Sequence, residues 1–443
     1  MKPAELNRTA PRNLDLAEFL FASKRKVAVV RVGLGAFLGI MLALVSVAGA
    51  ESDKRPASTR RVDMVNYVLG TQTFGIRYKF SAKTGLVETA ERIREMGSNI
   101  LKFSMDRRFA EKDTYGLPGN DRIRSLPDLA SKEPSMKEVL DMPFGYYLIW
   151  VYPFAHDDNA FIDGLSEKER DEEYKEIYEL ARYLRETYSG TGKTFLLGHW
   201  EGDWYLSYTP SEEVTPTKAQ GMVDWLNVRQ KAVDDAKRDT KSSDVSLYHY
   251  TEVNLVQKGM KGGKCLVNDV LPHTTVDYVS YSSYDTINLH MGNAGRPLHE
   301  ALDYIESKLP PKVGIQGKRV FIGEYGFPLE LTKTAQKQNI YARDVCLAAL
   351  EWGCPFVLYW EMYCNENPEG KHRGFWLIDE KNQKQPFYHT LRSYHANMKR
   401  VVAEFQKEHG RPPTDNELRR KAVEILKQDD SESAARGAVN RVP

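Results

Sequence analysis

Two short apolar runs in this chain end in acids. Val320-Phe321-Ile322-Gly323 leads into Glu324, Tyr325 and Gly326, and Phe195-Leu196-Leu197-Gly198 leads into His199, Trp200, Glu201, Gly202, Asp203 and Trp204. A carboxylate at the carboxyl end of a buried strand is costly to desolvate, so such an acid marks a site that uses its charge. Two carboxyls among aromatic rings are the groups that hydrolysis of a sugar–sugar bond requires. One protonates the leaving oxygen while the other supports or attacks the oxocarbenium-like centre. Trp and Tyr number 7 and 24, and their faces stack on the C–H faces of sugar rings as readily as they fill a core.

Other chemistries find less support. His156, His199, His249 and His273 fall near the ends of apolar runs, and three of them with Asp203 could hold a metal for hydrolysis. No His-x-His or His-Glu-x-x-His spacing supports that arrangement, so neither a metal nor a cofactor is expected. A Gly-x-Ser-x-Gly elbow is also missing, which argues against a serine esterase.

The elements that must position the two acids alternate in type from about residue 62. Candidate strands are Tyr67 to Leu69, Ile100 to Phe103, Tyr146 to Val151, Thr194 to Leu197, Val245 to Tyr248, Val276 to Tyr281, Val320 to Ile322 and Phe356 to Tyr359. Amphipathic stretches separate them, among them Gly85 to Met96, Glu167 to Tyr188, Pro216 to Arg238, Leu298 to Leu309 and Thr332 to Trp352. Eight strand–helix units of this kind suit an α/β fold, a (β/α)8 TIM barrel with long loops, in which catalytic groups come from the carboxyl ends of strands. A doubly wound open sheet is the competing architecture, but no Gly-x-Gly-x-x-Gly turn follows the first strand. On this count Glu201 closes strand four and Glu324 closes strand seven.

That pair resembles the clan A glycoside hydrolases, retaining enzymes on (β/α)8 barrels whose acid/base follows strand four and whose nucleophile follows strand seven. Gly323-Glu324-Tyr325-Gly326 is similar to the clan's nucleophile motif. Leu358-Tyr359-Trp360-Glu361 is similar to its eighth strand, where a tryptophan floors the sugar site, and Gly374 to Asp379 with Pro386-Phe387-Tyr388 resembles its closing segment. The resemblance covers roughly residues 62 to 398. It implies Glu324 as nucleophile, Glu201 as acid/base, Trp360 as floor and Tyr284 as the strand-six tyrosine that orients the nucleophile. His199, Trp200 and Asp203 flank Glu201 and are expected to touch substrate. The clan carries Asn before the acid/base to hold the sugar's 2-hydroxyl, whereas Trp200 stands here, so Asp203 is a second candidate for proton donor.

The ends of the chain differ from its middle. Lys24-Arg25-Lys26 to Arg31 precedes a charge-free run from Val32 to Val47, then Ala48-Gly49-Ala50, the small-x-small pattern of a signal peptide cleaved after Ala50. Residues 1–50 are therefore expected to direct export to a secreted or periplasmic location, with 51–61 as a linker and no stable membrane insertion after cleavage. The alternative is an anchor formed by residues 32–50. Residues 1–50 hold seven basic and three acidic side chains, which leaves 55 basic and 58 acidic, a balance that suggests no nucleic-acid partner. Cys265, Cys346, Cys354 and Cys364 all follow the cleavage site and could form one or two disulfides or pack as small apolar residues. Residues 399–443 form a charged tail in which Thr414-Asp415-Asn416-Glu417 is a capping box for a helix through about Lys427, and the stretch from 429 is expected to be disordered. Together these features point to an exported glycoside hydrolase with a carbohydrate substrate. The alternative is a barrel that binds glycans without cleaving them.

Overall fold

The computed structural model describes residues 62–439 apart from 112, 113 and 243, with side chains through residue 428. The segments expected to form a signal and a linker, 1–50 and 51–61, lie outside the described residues. Among those described, no helix is long and apolar enough to cross a membrane.

Eight parallel strands close into one barrel in sequence order. They are β1 (Leu69–Gln72), β2 (Ile100–Met105), β3 (Tyr146–Val151), β4 (Thr194–Gly198), β5 (Ser246–Val253), β6 (Tyr278–Ser282), β7 (Val320–Tyr325) and β8 (Val357–Tyr359), with β1 pairing to β8. Helices cross over between strands, so the fold is a (β/α)8 TIM barrel. The helices begin where side chains satisfy their first amides: Thr84 caps Gly85–Met96, and Ser166 with Glu169 forms a capping box on Glu167–Thr187. Gly97 and Gly353, both in the left-handed region, end the helices Gly85–Met96 and Ala335–Trp352.

Strand edges moved where local chemistry overrides apolar content. Val68 has φ of 66° and its amide donates to Asn66 Oδ1, so β1 begins at Leu69 rather than Tyr67. Lys333, at φ of 64°, separates Leu329–Thr332 from Ala335–Trp352 within the helix expected from Thr332 to Trp352. β5 runs five residues past Tyr248, because His249, Thr251 and Glu252 are buried despite their polarity and an apolar count stops before them.

After the helix Pro386–His409, the capping box forms, with the Thr414 amide donating to Glu417 Oε2 at 2.7 Å and the Glu417 amide to Thr414 Oγ1 at 3.3 Å. The helix it starts, Asp415–Val439, continues beyond Lys427. Leu418, Ala422 and Leu426 are buried, and Arg343 and Arg419 bond Leu426 O and Gly353 O, so this part of the tail is docked on Ala335–Trp352 rather than solvated. All four cysteines are free and buried, and packing is their observed role; Cys346 Sγ lies 2.9 Å from the Tyr325 hydroxyl.

The barrel interior leaves no room at two glycines. A Cβ at Gly198 would lie 2.3 Å from the Tyr250 ring, and one at Gly323 would lie 1.7 Å from Ser280 Oγ. Gly198→Ala is therefore expected to cost about 1–3 kcal/mol through overpacking. A lower urea midpoint at unchanged slope would show it, and an unchanged midpoint would mean the Tyr250 ring yields freely.

Behind β3, His156 and Glu173 stand 3.1 Å apart as an ion pair, and Glu173 is also 3.3 Å from Arg229. Burial pulls the His156 imidazole down, but the Glu173 carboxylate more than offsets this and leaves it at about 9. The folded state thus holds this proton more tightly than the unfolded chain, whose imidazole titrates near 6.5. The stability it supplies is whole below pH of about 6.5 and is lost as pH rises through the folded value. His156→Gln should remove that alkaline decline from a stability-against-pH curve, and a variant curve parallel to the wild type would contradict the assignment.

Candidate active site

Glu324 is the penultimate residue of β7 and fully buried. Its direction is set by an irregularity in pairing: Tyr281 aligns with Ile322 but Ser282 aligns with Glu324, so Gly323 is the extra residue of a bulge. Only a residue without a side chain fits there, since a Cβ would collide with Ser280 and come within 3.0 Å of Glu252 Oε2. Glu201 lies three residues past the end of β4. Its amide donates to Glu252 Oε1 at 3.1 Å, and its carboxylate accepts from Ser282 Oγ at 2.5 Å and from Trp204 Nε1 at 2.7 Å.

Ser282 joins the two acids. The same hydroxyl that donates to Glu201 Oε1 lies 3.4 Å from Glu324 Oε2, so the nearest carboxylate oxygens are no more than about 6 Å apart. Beneath them Lys102, from β2, places Nζ 2.9 Å from Glu252 Oε2 and 3.8 Å from Glu324 Oε1, with all three side chains fully buried. Lys102 Nζ also lies 4.3 Å from the centre of the Trp150 ring, which belongs to an aromatic stack with Phe74 and Trp360. The Phe74 ring stacks 4.0 Å from Trp150 and 5.4 Å from Trp360, and the Phe74 amide is held by Glu361 Oε2. The Trp360–Glu361 peptide is cis.

Not every residue nominated from sequence joins this cluster. Asp203 is turned into the protein, where Oδ2 accepts from the Asn254 and Leu255 amides and Oδ1 from the Leu266 amide. Burial raises its carboxyl above the usual range against the pull of those amides, and these bonds clamp the loop after β4 to the loop after β5. His199 is turned inward as well. It is fully buried, its ring nitrogens meet Trp200 O and Thr251 Oγ1, and it packs on Trp225. Burial and the nearby Arg229 charge lower the His199 imidazole to about 3, so it stands behind the site as a neutral packing group. Trp200 retains 9% exposure beside Glu201. Tyr284 is not on β6 but opens the helix Tyr284–Ile287 with its ring edge-on to Phe375, while Ser282 supplies the hydroxyl between the acids. Among the described residues no three His, Cys, Asp or Glu side chains are grouped to hold a metal.

Lys102, Glu252 and Ser282 were not nominated from sequence. A signal existed for the first two, since each is a lone charge within a strand buried along almost its whole length, where an unpaired ion would be prohibitive. Ser282 stands two residues before Tyr284, and an uncharged serine in a strand carries no such signal.

No family model matches this sequence, and no curated protein matches it by sequence. Solved structures do share its fold. A GH5_18 protein from Bifidobacterium longum subsp. longum aligns at 14% identity over 79% of this chain and 81% of its own, with a TM-score of 0.50. An exo-beta-1,4-mannosidase from Opitutaceae bacterium strain TAV5 aligns at 12% identity over 75% of this chain, with a TM-score of 0.50. The chain spans 60% of the mannosidase and 64% of a family 39 glycoside hydrolase from Bacteroides cellulosilyticus WH2, which aligns at 14% identity with a TM-score of 0.48. The likeness to the first two is one of fold, the (β/α)8 barrel.

The two acids after β4 should separate by what they stabilise. Asp203→Ala leaves three buried amides without an acceptor, and is expected to lose at least about 1–3 kcal/mol. Glu201→Gln keeps an acceptor for Ser282 or Trp204 and should unfold near the wild-type midpoint. Equal denaturation curves for wild type and Asp203→Ala would refute the clamp.

Proposed function

We propose that this protein is an exported glycoside hydrolase that cleaves O-glycosidic bonds with retention, its catalytic unit spanning residues 62–398 and its tail 399–443. The observation that carries this reading is the meeting of Glu201 and Glu324 at one serine hydroxyl. A separation of no more than about 6 Å between nearest oxygens supports the short spacing of retaining enzymes, about 5–5.5 Å, over the wider one that leaves room for a water. The glycoside hydrolase architecture of the neighbouring solved structures is consistent with it.

In this mechanism Glu201 gives its proton to the glycosidic oxygen as the C–O bond breaks, and a Glu324 oxygen forms the new bond to the anomeric carbon. Glu201, now ionised, takes a proton from water, whose oxygen attacks that carbon and releases Glu324. Trp204 and Ser282 both donate to Glu201, which stabilises its ionised form for the second step. Lys102 offers a positive charge to Glu324. Trp360 is the candidate floor for the sugar. Export rests on the basic, apolar and small-residue order of residues 24–50.

One observation favours a second reading, a barrel that binds glycans without turnover. Glu201 is 3% exposed and Glu324 0%, so a glycan held at the barrel rim would not reach the two carboxyls. Activity decides between them. On a glycoside the wild type cleaves, Glu324→Gln is expected to abolish turnover with the fold intact. Glu201→Ala should lose about 10²–10⁴-fold on natural glycans, less on aryl glycosides with acidic phenols, and regain rate with azide. Rescue of Asp203→Ala alone would move the acid/base role, and glycan binding without turnover over a broad panel would support the second reading.

A further inference from the structure

The buried ion pair under the two acids touches the backbone beside each of them. Lys102 Nζ donates to Gly323 O at 3.0 Å, the carbonyl immediately before Glu324, while it pairs with Glu252 Oε2 at 2.9 Å. Glu252 Oε1 accepts the Glu201 amide at 3.1 Å, and Oε2 also accepts Ser280 Oγ at 2.6 Å. One end of the pair therefore grips the β7 bulge and the other grips the turn that follows β4. Nothing else is needed to connect the two strand ends across the barrel: Glu201 amide, Glu252 carboxylate, Lys102 ammonium and Gly323 carbonyl form one continuous chain of contacts.

From this chain we infer that Lys102 and Glu252 are positioning residues for the hydrolysis proposed above, forming a strut that sets the separation of Glu201 and Glu324. Stability alone is a poor reason for such a pair. Well-packed apolar side chains of similar volume commonly do as well or better in its place, because both charges lose their hydration. Geometry is a better one. Lys102 bonds the carbonyl before Glu324 and Glu252 bonds the Glu201 amide, so each acts through the acid it holds. A carboxylate displaced by about 1 Å can cost on the order of 10²-fold in rate.

The test is a double variant. Lys102→Met takes the ammonium from Glu252, and Glu252→Gln leaves Lys102 only Glu324, 3.8 Å away, so each should lower both the thermal midpoint and kcat. Lys102→Met with Glu252→Leu removes both charges and is expected to regain the wild-type midpoint while kcat stays about 10²-fold down and KM moves far less. Recovery of kcat together with stability would overturn the strut and leave the pair a packing element. Should the apolar double variant not fold, folded Glu252→Gln with wild-type kcat overturns the proposal equally, and a kcat loss at near-constant KM supports it. Crystal structures of wild type and variant add a readout independent of turnover. The strut requires the distance between the Glu201 and Glu324 carboxyls to change, and an unchanged distance overturns it even if the protein cleaves no glycoside. Absence of turnover by the wild type on any glycoside would sink the hydrolase reading alone.

Discussion

Charge buried in a closed barrel is the constraint on which this structure turns. Glu201, Glu252 and Glu324 converge on a volume that holds one ammonium, Lys102, with Glu252, Glu324 and Lys102 fully buried. A buried charge left unpaired here would be prohibitive, so each of these groups is bound by several others at once. Ser280, Ser282, Trp204 and the Glu201 amide supply the donors, and the Gly323 carbonyl accepts from Lys102. Glycine makes the space. A side chain at position 323 would collide with Ser280, and one at 198 would collide with Tyr250.

That requirement spreads outward through the loops. The bulge at Gly323 brings Glu324 level with Ser282, and the turn after β4 is held from two sides, by Glu252 on the Glu201 amide and by the Asp203 clamp on the next loop. Phe74, fixed by Glu361 through its amide, closes the aromatic surround against Trp150 and Trp360. The outer ring is more conventional in its physics. Capped amphipathic helices bury one face on the strands, and the docked tail extends that cover over Ala335–Trp352.

Much of the architecture was legible because it rests on local rules. Each of the eight apolar runs overlaps a strand of the barrel, and Tyr146–Val151 and Gly85–Met96 have the bounds their residues predict. The limits fall where tertiary contacts outweigh composition. β5 carries polar residues into the barrel, and Asp203, close to Glu201 in sequence and also acidic, faces away from it. His199 shows the same ambiguity, since a histidine after a strand reads equally as a ligand or as packing until its neighbours Thr251 and Trp225 are known.

The sequence by itself determined the alternation of strands and helices, the capping box at Thr414, and the placement of Glu201 and Glu324 at strand ends, because periodicity and cap chemistry act over a few residues. Only the tertiary structure decided which acids meet. Lys102, Glu201, Glu252, Ser282 and Glu324 come from five strands or the turns after them, spread over more than two hundred residues, and closure of the barrel alone sets them within hydrogen-bonding reach. Pairing of buried charges depends on distance in space, and no local pattern in the chain encodes that distance.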